Sequence, residues 1–467
     1  MDNTDTNNDD IPDFVQLSQI PVNYEQHLET DLLEAVVFNQ GSTSSEGFAR
    51  FTLQNKGFLH SHSKLFMSVN PGAGVDGAYF NPATGIGQLI KKAVLKVGNK
   101  VINELDSWDG LYAVKSALIK NENNKERELY TTGRFVNNGF RYTPGSQVLA
   151  PKYGLDNGLE YSATTGGGAG VGNMPNWAIM DTDLPGECPT FSIDLSDLFP
   201  FLKVHQLPLY MISEPINIEL TFHPSDGKRV QLGQGDTTGV LQSIDRNELK
   251  FCADYIFYGS GDEMERFANA NKEKSFSFVD YRAIQTTTSQ AKLSSGVIRN
   301  LGMANRIVPR VITCIADPSQ GETTLLSQAN ATASSPENNA GNDVGSVKYN
   351  VRYNDRFEFT SDIDNPARLF TMTTQAEGVP FISRSEFSSQ GNLITTEAFA
   401  RVTDQKVALD GRFQYLSTKL TGGRVGQRGL EVHLSGDYPA YATLMRNYCE
   451  YLRVARLSDG HFEIFNA

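Results

Sequence analysis

Ile216-Asn217-Ile218-Glu219-Leu220-Thr221-Phe222 alternates apolar and polar residues without a break. A period of two buries one face of a strand and wets the other. After a polar loop, Leu249, Phe251, Ala253, Tyr255 and Phe257 repeat the alternation. The pair returns near the C-terminus. Leu430, Val432 and Leu434 alternate with Glu431 and His433, and after a further loop comes Tyr448-Cys449-Glu450-Tyr451-Leu452-Arg453-Val454. Two such endings imply two β-domains in tandem, each closing with a pair of long strands.

The rest of the chain fits that reading. At 467 residues it exceeds the size at which a single core keeps growing. Only 39% of residues are apolar and mean hydropathy is −0.35, as expected of a soluble, ordered protein. The 41 glycines suit an architecture full of turns. A net charge of −13 argues against general nucleic-acid binding, which needs clustered Lys and Arg to neutralise phosphate. Cys188, Cys252, Cys314 and Cys449 are widely spaced and form no CxxC, so zinc is not expected. Cys252 and Cys449 fall in expected strands and read as small buried hydrophobes. The acidic start, with Asp2, Asp5, Asp9, Asp10 and Asp13, lacks the basic and apolar regions of a signal peptide. No apolar run approaches the roughly 20 residues of a membrane span.

Further strands are expected at Phe48–Leu53, Ser63–Val69, Phe276–Val279, Tyr281–Ile284, Arg306–Ile315, Tyr349–Tyr353 and Arg356–Phe359. Ala93, Leu95 and Val97, the turn Gly98-Asn99, and Val101-Ile102 predict a hairpin, because Gly and Asn tolerate positive φ. Trp108, Leu111, Val114 and Leu118 predict a helix over Ser107–Lys120. A shorter helix is expected at Asp262–Ala270, where Ser260 and Glu263 have capping-box spacing. The stretch Pro318–Ser346, rich in Asn, Ala, Ser and Gly, reads as a long exposed loop.

Chemical motifs are weak. Gly166–Gly172 is glycine-dense but has no Gly-Lys-Ser/Thr and no helix start, and reads as a surface loop rather than a phosphate cradle. His60 and His62 would share one face of an extended Leu59–Leu65 and form either a metal-binding pair, as in cupins, or two polar positions at a strand edge; no further His/Glu set has fitting spacing. Asp106-Ser107-Trp108-Asp109-Gly110 lacks the closing Glu of a calcium loop and reads as a turn and helix cap. Asn330-Ala331-Thr332 is a formal glycosylation sequon.

Three segments together carry a family resemblance. The first is Phe191-Ser192-Ile193-Asp194-Leu195-Ser196-Asp197-Leu198-Phe199-Pro200-Phe201-Leu202, running through Leu207–Tyr210 to Ile216–Phe222. The second is Ala253–Tyr258 followed by Asp262-Glu263-Met264-Glu265-Arg266-Phe267-Ala268. The third is Arg446–Val454, ending Asp459-Gly460-His461-Phe462-Glu463-Ile464-Phe465-Asn466. They resemble the major capsid proteins of the double jelly-roll lineage, which includes adenoviruses, large DNA viruses, virophages and polinton-like viruses. The chain looks most like the virophage and polinton-like members, with Gly85–Ile90 adding a further, weaker similarity.

The resemblance implies an all-β fold of two tandem eight-stranded jelly rolls with a few short helices in loops and at the hinge. The expected divisions are a partly disordered N-terminal arm at 1–27, a first jelly roll at 28–261, a hinge helix and linker at 262–273, and a second jelly roll at 274–467. It implies a structural protein and not an enzyme: a homotrimeric, pseudo-hexagonal capsomer tiling an icosahedral shell. Implied partners are copies of itself and penton and minor capsid proteins, without sequence-specific nucleic-acid contact. The location implied is the virion, assembled inside the host cell without a secretion signal. No catalytic, cofactor-binding or metal residue and no cofactor is expected. Exposed Phe and Tyr on the domain flanks are expected to supply intersubunit contacts. The alternative is a cupin- or lectin-like metal enzyme or carbohydrate-binding protein, which would need a metal triad or an aromatic platform.

Overall fold

A computed structural model describes residues 26–70, 78–80, 85–119, 131–132, 190–203, 206–225, 230–232, 239–240, 243–258, 264–266, 269, 273–288, 297–316, 348–363, 366–377, 414–420, 423–435 and 443–466. The expectations for Met1–Asp13, Gly166–Gly172, Cys188, the Ser260/Glu263 cap, Pro318–Ser346 and Asn330 lie outside these residues.

Two antiparallel sandwiches follow one another. The first roll is built from eight strands in turn. These are Gln26–Glu34, Gly47–Leu53, a third in two pieces (Phe58–Leu59 and Lys64–Met67), Ile90–Val97, Lys100–Asp106, a sixth in two pieces (Phe191–Asp194 and Leu207–Pro208), Ile216–Phe222 and Lys250–Tyr258. Numbered so, they pair as 1-8-3-6 in one sheet and 2-7-4-5 in the other. The second roll runs Glu273–Thr288, Val297–Asn300, Arg310–Ala316, Lys348–Tyr353, Arg356–Phe357, Gln414–Lys419, Leu430–Ser435 and Thr443–Ser458, and its sheets have the same two orders. That order is the jelly roll, in which first and last strands are neighbours. Several short extra strands flank the first roll, and His461–Asn466 adds to the last strand of the second.

The alternation read from the sequence sets the register. In Ile216–Phe222 and in Gly47–Leu53 every second residue is buried. Ile218 lies opposite Phe51 on one side and Leu95 on the other, so three strands present one apolar face. Phe51 meets Phe251 from the facing sheet with ring centroids 5.9 Å apart. A slip of one residue would turn all these side chains into solvent. Hairpin geometry reinforces the register. Val97 pairs with Lys100 across Gly98-Asn99, and Gly98 takes φ 57°. Tyr353 pairs with Arg356 across Asn354 and Asp355, both at positive φ (49° and 63°), the conformation a two-residue hairpin turn requires.

Some boundaries differ from the sequence reading. Phe276–Val279 and Tyr281–Ile284 are parts of one 16-residue strand, Glu273–Thr288. It pairs along its whole length with the equally long Thr443–Ser458. The expected strand from Arg306 begins only at Arg310. Pro309 has no N–H to give a ladder, and its carbonyl accepts instead from Leu420. Helical residues at Met264–Arg266 and Asn269 fall within the expected Asp262–Ala270 helix. The helix Pro366–Glu377 was not anticipated. Thr371, Thr373 and Thr374 weaken its propensity, and it is held by docking on Gln414–Lys419, where the Ser417 N–H donates to the buried Thr373 hydroxyl at 3.3 Å.

Replacing Phe51 by Ala removes a fully buried ring from between the two sheets of the first roll. The expected cost is about 3–5 kcal/mol, measured as a lower midpoint in guanidinium unfolding with an unchanged slope.

Candidate functional site: the seam between the rolls

The first-roll core does not stop at the first roll. Phe276, Phe278, Tyr281, Ile312, Cys314, Tyr448, Ala455, Leu457 and Phe462 of the second roll belong to the same buried cluster as Trp108, Leu111 and Phe201. A smaller separate cluster, centred on Val351, Val432 and Cys449, fills the second sandwich. The surface that joins the rolls is therefore a core in its own right.

The helix Trp108–Ile119 occupies this seam. Asp106 ends the fifth strand, Ser107 turns the chain at φ 51°, and the helix begins at Trp108, so this segment is the turn and cap the sequence suggested. The Trp108 indole N–H donates to the Asp197 carbonyl at 3.1 Å, and its ring stacks on Tyr112 at 4.7 Å. Across the seam the Tyr448 hydroxyl donates to the Ser107 carbonyl at 3.1 Å. Gly110 is the point of closest approach: a Cβ there would lie 2.4 Å from the Tyr448 hydroxyl oxygen.

Two buried carboxylates close the seam. Asp280 is 1% exposed and accepts from Asn103 Nδ2 (2.8 Å), Tyr451 Oη (2.9 Å), Arg453 Nη1 (2.8 Å) and the Tyr281 N–H (2.8 Å). Arg453 also donates to the Ile102 carbonyl at 3.0 Å, so Asn103 and Arg453 tie the fifth strand of the first roll to the first and last strands of the second. Burial pushes the Asp280 carboxyl above the ordinary aspartate value, and Arg453, Tyr451 and the Tyr281 N–H offset only part of that. Glu450 accepts from Tyr281 Oη at 2.8 Å and Arg310 Nε at 3.0 Å, with Lys115 Nζ of the seam helix 3.7 Å away. Burial alone would raise its carboxyl, but the charges of Arg310 and Lys115 and these hydrogen bonds hold it below the ordinary glutamate value. A cavity of about 420 Å³ beside Glu450, Arg310 and Lys115 has Leu105, Trp108, Phe201, Phe278 and Leu452 among its walls. Every carboxylate here is engaged by a cation and by neutral donors, which makes the arrangement a clamp.

The histidine pair does not lie on a strand face. Residues 60–63 form a turn, with the Ser63 N–H donating to the His60 carbonyl at 3.1 Å and the His62 N–H to His60 Nδ1 at 3.0 Å. The rings sit 5.1 Å apart, and Asp194 is 3.9 Å from His62. Burial, helped by the neighbouring His62, lowers the His60 pKa. Among the described residues no group of three or more His, Cys, Asp or Glu is placed to hold a metal. Cys449 is fully buried, its thiol pushed up to about 12 by burial, as a core residue should be. Cys252 is instead half-exposed, because it shares the outer face of its sheet with its cross-strand partner Leu32. Among the described residues the large apolar side chains left in solvent are Leu28, Leu32, Val36, Val37, Ile298, Phe357 and Phe465. Among the described residues the exposed rings of this kind are Phe357 and Phe465. Among the described residues no helix is long and apolar enough to cross a membrane.

The strand order and the paired sandwiches have counterparts among solved structures. A quasi-atomic model of the PBCV-1 virus capsid superposes with TM-score 0.55 at 11% identity, covering 96% of this chain and 99% of that one. The fold is the double jelly roll of viral major capsid proteins. The Faustovirus major capsid protein matches with TM-score 0.53 at 9% identity over 94% of this chain and 92% of its own. The mavirus major capsid protein matches with TM-score 0.50 at 9% identity over 96% and 90%. No protein-family model and no curated protein matches the sequence.

Two outcomes follow from the seam. Gly110→Ala places a methyl against Tyr448 and should lower stability by about 1–3 kcal/mol, with the loss recovered in Gly110→Ala/Tyr448→Phe, which removes the clashing oxygen. Glu450 has a lowered pKa when folded, so its contribution is complete above the ordinary glutamate value of about 4.3 and is lost as pH falls through the lower folded value. The difference in melting temperature between the native protein and Glu450→Gln should thus hold steady from pH 7 to 5 and shrink below about pH 4.

Proposed function

We propose that the chain is a major capsid protein. Three copies form a capsomer of six rolls with a near-hexagonal outline, and these blocks tile an icosahedral shell. The observation that carries this reading is the repeated strand order: two rolls of identical topology, joined side by side by a buried clamp, make one rigid two-part building block. Strands of 16 residues reach roughly 50 Å at 3.3 Å per residue, ample for a shell wall if they stand across it. Loops at one end of the rolls then face outward and those at the other inward. The net charge of −13 suits a protein that accumulates to high concentration before assembly.

The proposed domain limits are those read from the sequence: an arm at 1–27, rolls at 28–261 and 274–467, and the linker 262–273 between them. Described strands run from Gln26 to Tyr258 and from Glu273 to Asn466, which is compatible with these limits. Partners are further copies in neighbouring capsomers together with penton and minor capsid proteins, and the location is the virion, assembled inside the host cell. No observation favours the metal-enzyme or sugar-binding alternative, since the His60/His62 turn lacks a third ligand among the described residues.

Purified protein should have the mass of three chains by light scattering and show near-hexagonal particles in negative stain. A stable monomer at micromolar concentration would contradict this reading.

A further inference from the structure

The cavity beside Glu450 takes its walls from both rolls. Leu105, Trp108 and Phe201 belong to the first, and Phe278, Tyr281 and Leu452 to the second. One side is a single face of the seam helix, because Trp108, Leu111, Tyr112 and Lys115 follow one another at spacings of three and four. The steps from Trp108 to Lys115, at about 1.5 Å each, give that wall a length of roughly 10 Å. Packed interiors leave few voids larger than a water molecule. A volume of about 420 Å³ falls instead among small-molecule sites, which span roughly 300–1,000 Å³ and favour domain interfaces.

The two ends of this slot differ in charge and in exposure. Near Trp108, Lys203 Nζ lies 3.4 Å from Asp197 Oδ1, one cation for one carboxylate, and the Lys203 side chain is 45% exposed, which marks the mouth. Near Lys115, two cations meet one carboxylate: Arg310 and Lys115 both face Glu450 Oε2. Their side chains are only 15% (Lys115) and 16% (Arg310) exposed, so solvent ions screen them weakly. Burial works against the Glu450 charge, and it is this excess of cations that holds its carboxyl below the ordinary glutamate value. The side chains between the two ends are largely aromatic and aliphatic.

We infer that this slot binds a small amphiphilic acid, its carboxylate at Lys115 and Arg310 and its alkyl chain along Trp108, Phe201 and Phe278. Charge-assisted hydrogen bonds to the two cations fix the head, and burial of the chain against the rings supplies the rest. The ligand bridges the rolls, because its head sits on Arg310 of the second and Lys115 of the first while its chain touches both. Binding only when the seam is closed, it stabilises the joined state by mass action. The inference stands on the seam alone and not on the assembly of copies.

Decanoate, decanol and decylamine share an alkyl chain of suitable length and differ in the head group. Each is titrated below its micellar concentration into the full chain, stripped of lipid on a hydrophobic resin, with calorimetry and the melting temperature as readouts. Decanoate should bind one molecule per chain and raise the melting temperature, with decanol weaker by roughly tenfold and decylamine weaker still. This comparison needs no variant. Lys115→Met should weaken decanoate about tenfold and leave decanol unchanged, a selectivity that a merely structural lysine would not give. Decanoate brominated at the chain end should quench Trp108, and the quenching should vanish in Trp108→Phe, where Trp177 is the remaining tryptophan. Decanoate that does not bind, an amine that binds as well as the acid, or quenching unchanged in Trp108→Phe overturns the inference. Each of those results leaves the proposed capsomer untouched, since none of them reads the number of chains.

Discussion

The structure depends on two carboxylates held out of water. Removing Asp280 and Glu450 from solvent is costly; Asp280 is met at hydrogen-bond distance by Arg453 and three neutral donors, and Glu450 by Arg310 and the Tyr281 hydroxyl. Their polar and charged neighbours come from both rolls: Asn103 and Lys115 from the first, Arg310, Tyr281, Tyr451 and Arg453 from the second. Separating the rolls would therefore strand buried charge as well as expose Trp108, Phe201 and Phe278. Hydrophobic burial supplies most of the adhesion at such a surface, and the polar clamp sets one relative placement of the sandwiches.

That fixed placement suits the proposed role in a shell. A jelly roll alone is a closed sandwich with an orientation of its own, and a hinge between two rolls would let them rock. Here the connection through Met264–Arg266 is secondary, because the seam does the aligning. The long strands Glu273–Thr288 and Thr443–Ser458 extend past the second sandwich and lay Phe276, Ala455 and Leu457 into the first-roll core. The rigid unit is the chain and not the domain.

Much of the fold could be read from residue order. Ile216–Phe222, Leu430–Leu434 and the Gly98-Asn99 hairpin each carry a local signal, period two or a turn needing positive φ, that requires no knowledge of distant residues. The seam was not legible in that way. Asp280 stands among Phe278, Val279 and Tyr281, and Glu450 stands between Cys449 and Tyr451, with Arg453 between Leu452 and Val454. Charges at such positions are a signal, but their partners lie between 140 and 351 residues away and only folding brings them together. The helix Pro366–Glu377 was hidden for a related reason: its stability comes from docking, while its threonines argue against it. His60 and His62 show the opposite failure, where even spacing suggested a shared strand face and a turn stands instead.

The shared strand order also governs how the polypeptide folds as it emerges from the ribosome. In each roll the first strand pairs with the last, so Gln26–Glu34 waits for Lys250–Tyr258 and Glu273–Thr288 for Thr443–Ser458. Contacts so remote in sequence make closure slow. When the leading sandwich closes, the trailing one is still unmade, and Trp108, Leu111 and Phe201 face water until it arrives. Nascent chains in that interval carry a sticky apolar surface, which makes crowding during synthesis, more than the finished protein, the moment of greatest aggregation risk.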